Sequence, residues 1–333
     1  MRFVIFGAGA IGGVVGANLL QSGHDVALIA RGAHCRAIRE HGLTLETPRR
    51  KTVLRIPVTD SPEALEWRGD EVVMVATKSQ DTAGALESLR AAAPASTPVL
   101  CLQNAVENER VALRLFANVY GAVVMSPTAH LEPGIVQSYG TRGTGVIDVG
   151  CYPEGVDALC EEVAQALGES DFSSVARPDI MRFKYAKLLG NLANAVDAIC
   201  EPGPAADEVI ELAQTEGRAV LAAADIEFVA EDVNEVYARW EQLEVQPIAG
   251  RERAGSSTRQ SLARGAPSVE TDYLNGEIAL LGRLHRVATP VNDALCELSA
   301  RHVRERRAPQ TLPAAEVLDL ARESRYADGP VRR

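Results

Sequence analysis

A run of glycines near the start limits the fold of this chain more than any other feature. Met1-Arg2-Phe3-Val4-Ile5-Phe6 is an apolar, β-favouring run, and Gly7-Ala8-Gly9-Ala10-Ile11-Gly12 follows it without a gap. A helix-length segment, Ile11–Gln21, comes next, and a second β-branched run, Asp25–Ala30, closes a βαβ unit. In that setting each glycine has a separate job. Gly7 permits a tight turn, Gly9 lets the backbone approach a pyrophosphate, and Gly12 lets the helix pack close to the sheet. The helix start then offers unpaired N–H groups and a partial positive charge to phosphates. Gly7, Ala8, Gly9, Ala10, Ile11 and Gly12 are therefore expected to bind a dinucleotide. A purely structural glycine turn is the competing reading, and the flanking strands and helix weigh against it.

The alternation continues through the first half. Strand-like runs at Glu71–Ala76, Val99–Leu102, Val119–Met125 and Val146–Val149, with a helical segment at Thr82–Ala93, imply parallel strands joined by helical crossovers. The fold class is α/β, an open doubly wound parallel sheet. Gly42–Pro57 breaks the alternation and is expected to form a small hairpin on the sheet edge. After about Pro178 apolar residues recur at helical spacing through Met181–Ile199, Ala206–Ala224, Val233–Leu243, Val269–Leu284, Val291–Val303 and Ala314–Ala321. The second half therefore reads as all-helical. The expected domains are 1–175 and 176–333, and the polar tail Glu323–Arg333 is expected to fray.

Composition narrows the partners. Hydrophobic residues at 46% and charged residues at 24% leave ample apolar surface for a core in 333 residues, excluding a disordered, collagen-like or coiled-coil chain. Asp plus Glu number 45 against 34 Lys plus Arg, a net charge of −11, and no basic stripe is sustained. That balance speaks against nucleic acid or an anionic membrane as a partner, and leaves room for a small anion in a cleft. No stretch approaches the ~20 apolar residues of a membrane span, and the first run is too short, and lacks the end, of a cleavable leader. The six cysteines form no CxxC pair and no Cys/His cluster with zinc spacing. They read as small core residues in a reducing, cytoplasmic compartment, with no metal expected.

The end of the second strand speaks to the nucleotide. A site preferring NAD usually carries Asp or Glu there for the ribose hydroxyls, whereas this chain has Arg31, suited to a 2′-phosphate. Lys78, beyond Glu71–Thr77, supplies a second cation on the same edge. The expected cofactor is therefore NADP(H) rather than NAD(H). Solvated loop charges are the competing reading for both residues.

In the helical half, Lys184, Lys187, Asn191 and Asn194 are spaced by 3, 4 and 3 and share one face of the Met181–Ile199 segment. Asparagine is a poor helix-interior residue, so two on one stripe call for a reason. One reason is a lysine that protonates a substrate oxygen beside amides that orient it. The other is a solvated face with lysines lying over apolar surface. Farther on, Ser256-Ser257 and Glu270 could be a helix cap and an acid near a helix start, with no chemistry implied. The histidines His24, His34, His41, His130, His285 and His302 form no evident ligand set. His130 is expected to be an ordinary loop residue, bordering the cleft being the alternative.

Together these residues resemble the ketopantoate reductase (2-dehydropantoate 2-reductase) family, from Met1 to about Arg307. The likeness is carried by the glycine loop, Arg31, Thr77-Lys78, Leu102-Gln103-Asn104, Lys187-Leu188-Leu189-Gly190-Asn191, Ser256-Ser257 and the stretch Glu270-Thr271-Asp272-Tyr273-Leu274-Asn275-Gly276. The resemblance implies an N-terminal Rossmann-type domain joined to an all-helical C-terminal domain, with catalysis in the cleft between. It implies Lys187 as general acid for a carbonyl oxygen and Asn104 where cofactor and substrate meet. Asn191 would hydrogen-bond the substrate and Ser257 bind its carboxylate or hydroxyl end. Glu270 would contact the nicotinamide–ribose region, and Arg31 with Lys78 the 2′-phosphate.

Three departures fall on the substrate side. The family's Asn-Gly is Asn104-Ala105 here; Ala195 stands eight residues after Lys187, where a second asparagine is usual; and the loop before Glu270 is one residue longer. Asn194, one position short, is the candidate replacement, although one residue turns a helical side chain by ~100°.

The implied reaction is NADPH-dependent reduction of a 2-keto acid, 2-dehydropantoate to pantoate (a step of pantothenate biosynthesis) or a close analogue. A β-hydroxyacid dehydrogenase of the hydroxyisobutyrate or 6-phosphogluconate type also carries Lys-x-x-x-Asn but gives Ser256-Ser257 and Glu270–Gly276 no role. A non-catalytic NADP(H) sensor would not need Lys187 or Glu270. Apolar faces on Val269–Leu284 and Val291–Val303 could pair two copies as a homodimer.

Overall fold

The first strand, β1 (Arg2–Phe6), is buried along its whole length. Its side chains alternate between two cores: Phe3 and Ile5 join Leu28, Met74 and Leu100, while Val4 and Phe6 join Ile29, Val73 and Val75. A strand apolar on both faces belongs inside a parallel sheet with helices on either side. In the computed structural model, which describes residues 1–251 and 255–323, that is what forms.

The chain continues as α1 (Ala10–Gln21), β2 (Asp25–Ile29), α2 (Gly32–His41), β3 (Leu43–Glu46), β4 (Lys51–Leu54), β5 (Val58–Thr59), β6 (Glu71–Val75), α3 (Thr82–Ala92), β7 (Val99–Cys101) and α4 (Asn108–Leu113). Next come β8 (Val119–Met125), β9 (Thr128–Ala129), β10 (Ile135–Ser138), β11 (Gly145–Cys151), α5 (Ala158–Glu169) and β12 (Phe172–Ser173). Eight strands form the main sheet in the order β12-β11-β8-β7-β6-β1-β2-β5. Every neighbouring pair is parallel except β8 with β11. The doubly wound sheet expected of the sequence is present.

The hairpin expected at 42–57 forms as β3 and β4, but not on the edge of that sheet. It lies in a second sheet, β4-β3-β10-β9, with β3 parallel to β10. The cause is the inward face of β3: Leu43 and Leu45 are buried with Val136 of β10 and with Val14 and Val15 of α1 in one core. The strands β5, β9 and β12 escaped the sequence reading because two residues show no period, and β10 was missed with them.

The helical elements are α6 (Ile180–Asn191), α7 (Ala193–Ile199), α8 (Pro204–Ala223), α9 (Glu235–Glu241), α10 (Ser257–Ala263), α11 (Thr271–His285), α12 (Pro290–Arg304) and α13 (Ala314–Glu323). The chain divides into one unit of Met1–Lys184 with Ala230–Arg253 and another of Tyr185–Val229 with Ala254–Arg333. The division expected at residue 175 differs from these units in two ways. The first unit runs on into α6, and the segment holding α9 returns to it.

Charge explains the return. Arg239 of α9 and Arg177 both pair with Asp148, fully buried on β11. Arg251 bonds Glu46 of β3 at 3.0 Å, and the Gln246 N–H donates to the Tyr139 carbonyl at 2.9 Å. Helical periodicity finds α9 but says nothing of partners so far away in sequence. The tail beyond residue 323, expected to fray, lies outside the described residues.

In the helical unit, Asn275 donates to the Leu192 carbonyl at 3.2 Å and to Asn292 at 3.0 Å. Glu216 accepts the N–H groups of Val291 and Asn292 at 2.9 and 3.0 Å, satisfying the open start of α12. Part of the Glu270–Gly276 stretch is therefore a structural tie between helices. None of the six cysteines is in a disulfide, and among the described residues no helix is long and apolar enough to cross a membrane.

Candidate functional site

The glycine loop has the geometry its sequence demands. Gly7 adopts φ +105°, and a Cβ there would stand 2.8 Å from the Thr77 backbone N. At Gly12 a Cβ would meet the Gly7 carbonyl oxygen at 2.2 Å and Ile5 at 2.8 Å, so only glycine lets α1 approach β1 this closely. At Gly9 the reverse holds: a Cβ would meet nothing within 4 Å. The middle glycine thus borders open space, where a phosphate can come against bare backbone. Gly9 precedes α1 with no side-chain cap, and the first turn holds no acidic residue, leaving the N–H groups of Ala10, Ile11 and Gly12 to face an anion. The residues present fit a dinucleotide pyrophosphate.

The other N-terminal candidates converge on the same edge. Arg31 follows β2, Lys78 follows β6 and Asn104 follows β7, the strands on either side of β1 and the next one along. Carboxyl ends of parallel strands are where open α/β sheets bind ligands. Arg31 is exposed, whereas Lys78 and Asn104 are half-buried.

A buried polar network stands behind Asn104. Its carbonyl accepts from the Asn108 side chain at 2.8 Å, and Gln103 donates to the Thr77 carbonyl at 2.8 Å and to Thr82 at 2.7 Å. Lys184 of α6 sends its ammonium to the Gln103 carbonyl at 2.9 Å and the Ala122 carbonyl at 3.1 Å. It also lies 2.6 Å from Glu109 Oε1. Both side chains of this pair are almost wholly buried, and burial raises the Glu109 carboxyl above its usual range against the pull of Lys184. Lys184 is therefore neither solvated nor substrate-facing; it is the internal counter-ion of Glu109. Ala105, next in the chain, adopts φ +66°, the left-handed region that favours glycine.

The remaining candidates belong to the helical unit. Lys187 and Asn191 are half-buried on α6, which ends at Asn191; Asn194 lies on α7, beyond Leu192. Leu192 keeps helical dihedrals (φ −59°, ψ −27°) and its N–H still reaches the Leu188 carbonyl at 3.2 Å, so the helix expected over 181–199 is locally tightened there rather than broken. The Asn194 carbonyl accepts from Ser256 at 3.3 Å, and Ser256 caps α10, its Oγ accepting the Arg259 N–H at 3.2 Å. Ser257 is different: its Oγ is buried without a hydrogen-bond partner, as is the Asn191 Nδ2. Such groups cost about 1–3 kcal/mol each unless something completes them. Two residues assigned to a substrate by resemblance thus hold unmet hydrogen-bonding capacity. Thr258 Oγ1 and Thr271 Oγ1 share that state; Thr271 lies in the stretch that carries the resemblance, but neither residue is given a role by it. Glu270 is buried immediately before α11.

The sequence also missed a three-residue cluster. The ligating atoms of Cys151, Asp157 and Cys160 lie within 4.8 Å of one another. Asp157 accepts from the Cys160 N–H at 2.9 Å and from Tyr120 at 2.8 Å, which commits both oxygens, and burial pushes the Cys160 thiol up to about 12. Two protonated thiols beside a helix-capping carboxylate account for the group.

Comparison with known proteins identifies the family. The family model for ketopantoate reductase PanE/ApbA matches residues 3–154, and that for the ketopantoate reductase PanE/ApbA C terminal matches residues 179–302. A 2-dehydropantoate 2-reductase of Pyrococcus horikoshii is 30% identical over 306 residues, covering 90% of this chain and 96% of the relative. Among solved structures, a PanE/ApbA family ketopantoate reductase from Ralstonia eutropha JMP134 superposes with a TM-score of 0.77 at 29% identity, covering 92% of this chain and all of that one. D-mandelate dehydrogenase, solved with NADH and anilino(oxo)acetate, gives 0.76 at 25% identity, again over 92% of this chain and all of its own. Both halves of the sequence match in order, so the chain belongs to the ketopantoate reductase PanE/ApbA family and is an oxidoreductase.

Proposed function

We propose that this enzyme reduces a 2-keto acid to the 2-hydroxy acid with NADPH, the substrate being 2-dehydropantoate or a close analogue. The observation that carries the reading is the glycine loop, where Gly7 and Gly12 are sterically obligatory and Gly9 is bare, in a chain of a reductase family. A reduced nicotinamide supplies the hydride when bound. Gly7, Ala8, Gly9, Ala10, Ile11 and Gly12 hold the pyrophosphate through backbone N–H groups, and Arg31 with Lys78 holds the 2′-phosphate. Arg31 supports NADPH over the NADH of the D-mandelate dehydrogenase structure, because a guanidinium matches a phosphate where a carboxylate would repel it. Glu270 contacts the nicotinamide–ribose region.

On the substrate, Lys187 donates a proton to the carbonyl oxygen as it gains negative charge, and its cation stabilises that charge beforehand. Asn104 and Asn191 orient the keto acid through their amides, and Ser257 offers its unmet hydroxyl to the carboxylate or hydroxyl end. Asn194, at the start of α7, is proposed as a further polar contact.

Lys187→Ala tests the assignment. General acid help contributes ~10²–10⁴-fold, so kcat falls by that order while the NADPH dissociation constant stays within about twofold. A variant with near-normal kcat removes Lys187 from the chemistry.

A second reading, favoured by Ala105 and Ala195 in place of the family's glycine and asparagine, is a bulkier or more apolar 2-keto acid. Oxidation of NADPH at 2-keto acids of graded size, ketopantoate included, separates the two. We also propose a cytoplasmic homodimer. The exposed Leu280 and Leu284, one turn apart on α11, supply an apolar face for pairing, to be checked by light scattering.

A further inference from the structure

We infer that His34 is a positioning residue for the glycine loop, its ring fixing the Ala8–Gly9 peptide and so governing how tightly the loop holds a dinucleotide. The inference rests on the reading of Gly7–Gly12 as the dinucleotide site. His34 stands in the first turn of α2. Its Nε2 lies 2.7 Å from the Ala8 carbonyl oxygen, and its Nδ1 accepts the Gly134 N–H at 2.8 Å. A carbonyl only accepts and an amide N–H only donates, so one tautomer satisfies both contacts: neutral imidazole with its proton on Nε2.

The far anchor is itself fixed. The Gly134 carbonyl accepts from the Thr44 N–H at 2.8 Å, tying it to β3. The His130 ring packs on the His34 ring, centroids 4.2 Å apart, and His130 Nδ1 donates to the Ile135 carbonyl at 2.9 Å. His34 thus carries the rigidity of the second sheet to one peptide of the phosphate loop.

That peptide needs a tie. Gly9 follows it, and a glycine lets the preceding peptide rotate with little steric resistance. In a trans peptide the C=O and N–H point in opposite directions. Holding the Ala8 carbonyl therefore also sets the direction of the Gly9 N–H, on the residue that borders open space. Without the tie, the peptide must be ordered when the dinucleotide binds, and affinity falls.

The two bonds can be separated by substitution. Asparagine places an amide oxygen near the Nδ1 position and can still accept from Gly134. Glutamine places an amide nitrogen near the Nε2 position and can still donate to Ala8. The experiment titrates NADPH, and separately NADH, into the full chain by nicotinamide fluorescence for the wild type, His34→Ala, His34→Asn and His34→Gln, with a melting curve for each. The expected result is a dissociation constant roughly tenfold higher for the alanine and asparagine variants and within about twofold of wild type for glutamine. Melting temperatures of the asparagine and glutamine variants should agree. A merely structural tether would weaken binding in step with melting temperature and would not separate asparagine from glutamine, and that result overturns the inference. Wild-type affinity in His34→Ala overturns it as well. A wild-type chain that binds neither dinucleotide overturns the cofactor reading first, and the role of His34 with it.

Discussion

Gly9 and Gly12 belong to one motif, yet the structure sets opposite consequences for adding a methyl group to each. In Gly12→Ala the new Cβ would lie 2.2 Å from the Gly7 carbonyl oxygen, with Ile5 and Ala76 at 2.8 and 2.9 Å. The closest atom is backbone, so α1 and β1 must move apart by about 1 Å, and overpacking of this kind costs about 1–3 kcal/mol or more. At about 2–4 °C per kcal/mol for a unit of this size, the melting temperature should fall by about 5–10 °C. In Gly9→Ala the methyl meets nothing within 4 Å. Stability should then change by no more than about 0.5 kcal/mol, as at an unconstrained surface position. The methyl nevertheless occupies the space a pyrophosphate must enter, so NADPH affinity should fall by at least about tenfold, or 1.4 kcal/mol. Thermal melting and fluorescence titration on the same samples give both readouts. Wild-type affinity in Gly9→Ala would show that phosphates do not approach there, and an undiminished melting temperature in Gly12→Ala would refute the close-packing argument.

Other perturbations follow from the same physics. Lys184→Met strands the Glu109 carboxyl in the interior and should cost about 3–5 kcal/mol in urea unfolding. Adding Glu109→Gln should recover a good part of that loss, and no recovery would mean that the pair does not act as a pair. Ala105→Gly removes the strain of a left-handed alanine, about 1 kcal/mol, offset in part by the greater freedom of glycine in the unfolded chain. A net gain of about 0.5 kcal/mol is expected, and a lower urea midpoint would contradict it.

His34 also predicts an acid sensitivity. Burial, followed by the neighbouring His130, lowers its ionisation from 6.5 to about 4, against the bond to Ala8. Above pH 6.5 the ring is neutral in both folded and unfolded chains. Between 6.5 and about 4 only the unfolded chain takes up the proton, so stability falls with pH, by about 2 kcal/mol after allowing for partial exposure. His34→Gln should flatten that part of a stability–pH curve, and an unchanged slope would count against the buried neutral ring.

What could be read in the sequence was what local rules control. Gly7, Gly9 and Gly12 are legible because strand, turn and helix each impose a steric demand within a few residues. The helices of the second half are legible because burial of one face imposes a period. Lys184 was not legible in this way. It shares a helix face with Lys187 and Asn191, and the pattern cannot tell a counter-ion from an acid, because the deciding partner, Glu109, lies on α4. His34 was equally silent: its two bonds reach Ala8 and Gly134, neither of them a neighbour in sequence. The return of 230–253 to the first unit rests on Asp148 and Glu46, which no periodicity links to Arg239 or Arg251.

The departures from the family pattern gain meaning from this contrast. Ala105 stands where the family has glycine, and the backbone still turns through φ +66°. A residue that tolerates this conformation poorly is held there by what surrounds it: Asn108 on the Asn104 carbonyl and Lys184 on the Gln103 carbonyl. The path of the chain past Asn104 is therefore over-determined by buried polar bonds, and a methyl group can be added without losing it. Ala195 differs in kind. It is buried, and Asn194, one position earlier on α7, points about 100° away around the helix, so a shift of register does not simply hand the missing amide to its neighbour. On the proposed reading, in which Asn191 and Ser257 bind the substrate, one polar contact fewer weakens discrimination for a hydroxyl-bearing substrate more than it weakens hydride chemistry, because selection by a positioned hydrogen bond depends on that bond being there to lose. The proposed dinucleotide edge and the proposed substrate residues thus answer to separate constraints, and on that reading a change of preferred keto acid needs alteration only in the second.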